Sequence, residues 1–190
     1  MVSQLKVNEI IKQSGSSITI GETGDTITVP SGTLLSDFYS STAFFAYKTS
    51  EQSISNVTYT TCTFDAEDYD FGDAWNTSTG LYTAPSTGYY FFHLSMRLFN
   101  SPARVYEARM SRQLSTTATD LISCKREDGA DSHSDQQSMN VTGTFYLTAG
   151  QYVAFQGYIE EDSSGDSRIL SGHNVTFVHG HRFLDRKSVV

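Results

Sequence analysis

Four aspartates, Asp65, Asp68, Asp70 and Asp73, fall in the run Asp65-Ala-Glu-Asp-Tyr-Asp-Phe-Gly-Asp73. Alternating carboxylates beside a glycine can wrap a Ca²⁺ ion, because a hard cation collects oxygen ligands from a sharply turning chain. The run lacks the full spacing of a calcium loop and its closing bidentate Glu. It therefore reads first as a solvated acidic loop, and only weakly as a metal site. Asp128 to Asp135 and Glu160 to Asp166 read the same way. His179 and His181 are two apart on an apparent strand, so they share one face. Around a threefold axis such a face presents a ring of imidazoles. Metal ligation there needs orienting partners, and the plainer reading is a pair of interface or surface histidines.

Catalytic patterns are absent from the sequence. There is no Gly-x-Ser-x-Gly elbow, no Cys–His signature and no phosphate-cradling glycine loop. Glu160 and Glu161 are adjacent and point to opposite faces of a strand, which disqualifies them as an acid/base pair. The expectation is a protein that is not an enzyme, with no cofactor beyond a possible Ca²⁺.

The chain divides near residue 40. Residues 1–40 hold the units Gly15-Ser-Ser-Ile-Thr-Ile, Gly24-Asp-Thr-Ile-Thr-Val and Gly32-Thr-Leu-Leu. Each unit pairs a glycine turn with a strand too short to make a core, so it must stack or meet copies from other chains. This segment reads as a fibre or anchor arm.

Residues 41–190 carry nearly all the aromatics. Strands are expected over Ala43–Lys48, Val57–Phe64, Leu81–Thr83, Tyr89–Phe99, Val105–Gln113, Asp120–Cys124, Ser138–Leu147, Gln151–Ile159 and Asn174–Phe183. Short strands with turn signals between them argue for an all-β jelly-roll sandwich. Alternation is clearest after the Pro85/Gly88 turn. Tyr90, Phe92, Leu94, Met96 and Leu98 share one face, the expected core. Tyr89, Phe91, His93, Ser95, Arg97 and Phe99 share the other, which is open to solvent or a subunit. Gln151–Ile159 is apolar on both faces, so Val153, Phe155 and Ile159 are expected at a subunit interface with Tyr89, Phe91, His179 and His181.

Composition sets the outer bounds. The chain has 190 residues, 38% hydrophobic and 13% aromatic, enough for a real core without staples. A formal net charge of −8 disfavours nucleic acid as a partner. Arg182, Arg186 and Lys187 form only a short basic tail. Cys62 and Cys124 read as small buried or half-buried thiols, with one bridge possible. No apolar run reaches membrane-spanning length and none resembles a leader, so synthesis in the cytosol and no membrane insertion are expected.

Several motifs carry a resemblance. Ala43-Phe-Phe-Ala-Tyr-Lys48, Phe64-Asp65, the run from Trp75 through Gly80, Tyr82, Pro85 and Gly88 to Phe91, Leu147-Thr-Ala-Gly-Gln-Tyr-Val153, and Thr176-Phe-Val-His-Gly-His-Arg-Phe183 are similar to the tumour-necrosis-factor-like jelly-roll, in its complement globular-head branch. One departure is Arg112 to Thr119, which stands where that family has an Asn-Gly hairpin. The resemblance implies a homotrimer with aromatic-rich faces about a threefold axis, and binding without catalysis.

The N-terminal segment, with Leu5-Lys-Val-Asn-Glu-Ile10 and the glycine units, resembles tail-fibre-type proteins of marine bacteriophages. That resemblance implies a virion protein, anchored to other virion proteins through residues 1–40. Its head would attach to a host surface glycan or protein. The alternatives are a trimeric capsid decoration or cement protein and, from another class, a glycan-degrading depolymerase. A secreted signalling or lectin-like jelly-roll is disfavoured by the missing leader.

Overall fold

A computed structural model describes residues 42–100, 103–114, 117, 120–127, 135–161 and 166–183. These belong to one compact unit that begins at Tyr39. The Gly-Ile-Thr units of residues 1–40, the acidic stretch 128–134, most of 160–166 and the basic positions Arg186 and Lys187 lie outside the described residues.

The described residues form thirteen strands, all paired antiparallel. In chain order these are β1 (Ala43–Tyr47), β2 (Gln52–Ser53), β3 (Thr60–Thr61), β4 (Ala66–Phe71), β5 (Trp75–Asn76), β6 (Leu81–Thr83) and β7 (Gly88–Asn100). There follow β8 (Ala103–Arg112), β9 (Leu121–Glu127), β10 (Asp135–Leu147), β11 (Tyr152–Glu161), β12 (Arg168–Ile169) and β13 (Phe177–Arg182). The first sheet runs β2-β12-β7-β13-β1-β4, with β10 on the other edge of β7. The second runs β5-β6-β11-β8-β9, with β3 also on β11. The result is the expected β-sandwich.

The period-2 pattern of β7 builds one wall of the core. Tyr90, Phe92, Leu94, Met96 and Leu98 are all fully buried. Opposite them on β10 stand Phe145, Val141 and Met139, also buried. Aromatic pairs join the two sheets: Phe92 lies 5.7 Å from Phe155 of β11, and Phe44 of β1 stacks at 5.2 Å on Trp75 of β5. Each such ring contributes about 2–3 kcal/mol by leaving water. The turn into β7 is pinned by Tyr90, whose hydroxyl donates to the Ser86 carbonyl at 2.6 Å. Gly80, just before β6, has φ +68°, and a Cβ there would collide with the Cys62 carbonyl.

Three expectations are corrected. Val57–Phe64 is mostly irregular: Val57 has φ +57° in a turn, Thr58 N–H donates to the Ser55 carbonyl, and only Thr60–Thr61 is strand. The acidic run is not a loop, because Ala66–Phe71 is strand β4, held to β1. Asn174–Thr176 lies in a turn closed by bonds from Val175 and Thr176 N–H to the Gly172 carbonyl, so the last strand starts at Phe177. Cys62 and Cys124 are free thiols.

Candidate functional site

Three rows of facing residues make the aromatic part of the first sheet's outward face, and Arg97, on the same side of β7 and bonded to Ser138, lies beyond them. One row is Tyr69, Phe45, His179, His93 and Thr142, read across β4, β1, β13, β7 and β10. The next is Phe71, Ala43, His181, Phe91 and Thr144. The third contains Tyr47, Phe177, Ser95 and Asn140. No carboxylate, Lys or Arg stands in these rows. Strand alternation makes the face: Phe44 and Ala46 of β1 turn inward and are fully buried, so Phe45 and Tyr47 turn outward.

The rings form a continuous surface. Phe45 stacks on Phe177 at 5.4 Å and on His173 at 5.2 Å. His93 and His179 lie 5.2 Å apart, and Phe91 lies 5.2 Å from His181. Beyond the second row Tyr89 meets Tyr146 edge-on at 5.0 Å. Among the described residues there are seven exposed large hydrophobics, and five of them, Tyr69, Phe71, Tyr89, Tyr146 and Phe183, belong to this face and its margin. Apolar surface concentrated in this way marks a contact site, whereas scattered apolar residues do not.

Burial sets the electrostatics. Burial holds the His179 pKa below the ordinary value, and the neighbouring His93 and His181 add to the effect. His93 is lowered by burial too. At the margin His173 is raised, first by its bond to Asn174 and then by Asp68, whose carboxylate is 2.8 Å from Nε2. Asp68 is the extra residue of a bulge in β4, where the pairing with β1 shifts between Phe45 and Ala46.

The outward face of the second sheet has a different character. Arg109 lies 3.3 Å over the Tyr59 ring and donates from Nε to Gln156 at 2.9 Å. Ser111 donates to the same oxygen at 3.0 Å. The Tyr59 hydroxyl donates to Glu107 at 2.8 Å, and burial followed by that bond pushes its pKa up to about 12. These groups satisfy one another.

The structure separates the residues that the sequence grouped. Tyr89, Phe91, His179 and His181 lie on the outward face of the first sheet. Val153, Phe155 and Ile159 do not face another copy, because all three are fully buried between the sheets. Phe155 contacts Phe64, Trp75 and Phe92. It is the Tyr152 and Tyr158 side of β11 that points outward. Sequence reasoning missed Phe45, Tyr47, Tyr69, Phe71 and Phe177. The signal was available in Phe45 and Tyr47, which alternate with Phe44 and Ala46.

The aspartates do not converge. Asp65 accepts from Thr49 N–H at 2.6 Å and Ser50 at 2.8 Å, Asp68 binds His173, and Asp70 accepts from Trp75 N–H at 2.8 Å. Among the described residues, no three His, Cys, Asp or Glu side chains assemble into a metal-binding group.

A jelly-roll sandwich with one apolar aromatic face defines a class, and comparison with known proteins specifies it. The C1q domain pattern matches residues 43–173, more than half of the chain, so the chain belongs to the C1q domain family. Solved structures agree on the fold. Murine APRIL aligns with TM-score 0.56 and 15% identity over 75% of this chain and 99% of that one. The globular domain of zebrafish complement 1qA gives 0.51 and 16% over 75% and 97%. Eiger TNF from S. frugiperda gives 0.58 and 13% over 79% and 96%. At such identities the likeness establishes the fold alone. No curated protein matches the chain in sequence.

Proposed function

We propose that this chain forms the head of a homotrimer whose aromatic rows meet about a threefold axis, and that the trimer serves on a phage particle to attach it to a host surface. The observation that carries the assembly is the gathering, among the described residues, of five of the seven exposed large hydrophobics at one face whose aromatic rows hold no carboxylate, Lys or Arg. Aromatic residues free of charge are what the buried centre of an interface requires. C1q and tumour-necrosis-factor-like domains are often trimeric, and typically bind ligands or build structures without catalysis, which supports the reading. The place on a virion is supported by the N-terminal sequence alone, through Leu5–Ile10 and the glycine units that follow. Attachment would be multivalent. Three weak sites on one rigid head gain roughly 10²–10⁴ in avidity over one site.

Native mass measurement tests the assembly. Three copies per particle are expected at micromolar concentration, and a stable monomer overturns the reading. Fluorescently labelled protein tests the role, with saturable binding to host cells expected. Binding to purified capsids but never to cells would make the protein a decoration of the shell. Release of reducing sugar from host polysaccharide would make it a depolymerase.

A further inference from the structure

Within the row Phe45–His179–His93–Thr142, two histidines stand at directly facing positions on adjacent strands. Their ring centres are 5.2 Å apart and their planes are inclined by 41°. Two imidazoles that share a tetrahedral ion, with metal–nitrogen bonds of about 2.0–2.1 Å, hold their ring centres roughly 5 Å apart. The pair is thus already spaced as a chelate.

Both rings are also braced from outside the pair. Nδ1 of His93 lies 2.9 Å from the Thr142 hydroxyl, which fixes the ring and turns Nε2 away from β10. A partner on the second nitrogen is what a ligating imidazole needs for orientation. His179 is flanked by Phe45 at 6.2 Å and 13°, and by Phe177 at 6.3 Å and 15°. Nearly parallel rings on those sides leave the side toward His93 for a ligand. With no carboxylate in the row, the donor set is purely imidazole, which suits Zn²⁺, Ni²⁺ or Cu²⁺ and disfavours Ca²⁺ or Mg²⁺.

We propose that His93 and His179 form a two-imidazole site for a divalent transition-metal ion. One chain supplies two ligands, and water or imidazoles from further copies complete the shell. The second alternative rests on the trimer proposed above, and places the ion where the copies meet. In either case the ion cross-links β7 to β13 on the outward face.

Isothermal titration of the metal-free 190-residue chain with zinc chloride, and separately with nickel chloride, tests the site. Saturable uptake of at most one ion per chain is expected. His93→Asn or His179→Asn should weaken it at least tenfold, while His173→Asn leaves it unchanged. No saturable uptake, or uptake by the two site variants as tight as the parent's, overturns the proposal. X-ray absorption of the zinc-loaded wild-type protein is independent of any variant's folding. Scattering from two or more imidazoles is expected, and a shell without imidazole overturns the site. Sedimentation in EDTA separates the two readings. A three-copy particle that takes up no zinc sinks the metal site and keeps the trimer. A chain that stays monomeric both in EDTA and with zinc, yet binds zinc through these histidines, keeps the site and sinks the trimer.

Discussion

Gly180 sits on β13 between Phe92 of β7 and Phe44 of β1, facing the core. A Cβ there would lie 2.6 Å from the Phe91 carbonyl oxygen and 2.7 Å from the Phe92 ring. The requirement is for space, since backbone atoms cannot yield as a flexible side chain can. Gly180→Ala should cost ~1–3 kcal/mol in a urea unfolding series, and an unchanged midpoint would refute the argument. The histidines titrate in opposite directions. By NMR of the metal-free protein, His173 should titrate above 6.5 and His93 and His179 below it. Asp68→Asn should bring His173 back down. Asp65 contributes to the acid limb. Burial favours its protonated form, but the bonds from Thr49 and Ser50 outweigh this and lower its pKa from 3.8. A depressed carboxylate stabilises the fold above its unfolded value and loses that contribution as pH falls through the folded one. The loss therefore lies at and below about pH 3.8. Asp65→Asn should flatten stability across that window, and a variant as acid-sensitive as the parent would count against the bonds. At this scale the sequence displayed the five inward residues of β7, because strict alternation with aromatics has one interpretation. It did not display the His93–His179 pair, since facing across strands depends on register.

β11 shows what alternation leaves undecided. With apolar residues on both of its sides, parity separates Val153, Phe155 and Ile159 from Tyr152 and Tyr158 without saying which set meets the other sheet. Burial decides. Phe155→Ala should cost ~3–5 kcal/mol of chain stability. Tyr89→Ser or Phe71→Ser should change it by no more than about 0.5 kcal/mol, as exposed positions do, while weakening assembly. The comparison needs chemical unfolding of each variant together with its sedimentation profile. Equal losses from Phe155 and Phe71 would erase the distinction between core and outer face. β4 escaped the sequence reading for another reason. Its Asp and Glu residues disfavour strands, yet Tyr69 and Phe71 alternate with them and find β1 as a partner. The two-residue strands β2, β3, β5 and β12 carry no periodicity at all, and pairing alone defines them.

For the molecule as a whole, the aromatic rows of the proposed interface carry no carboxylate, Lys or Arg, while the chain has a formal net charge of −8. Like charges around an apolar contact repel copies at low ionic strength, and salt screens that repulsion. Assembly should therefore hold or tighten as sodium chloride is raised to about 1 M, where the Debye length is only a few ångström. Sedimentation across that range measures it. Dissociation at high salt would mean that charge pairs, not aromatic rows, join the copies. The sandwich class and its family were legible from the order of aromatic and turn residues.

The first described strand pairs with the last: Ala43 faces His181, and Arg182 N–H donates to the Thr42 carbonyl at 3.0 Å. During synthesis β1 emerges before β13, which is made well over a hundred residues later. Until then the Phe44 and Phe45 segment has no β13 neighbour on that edge. An unpaired apolar edge of this kind recruits other nascent chains as readily as its own partner. The head can close only when its final strand arrives, so chains truncated before Phe177 should remain protease-sensitive clients of chaperones, however much of the core they already contain.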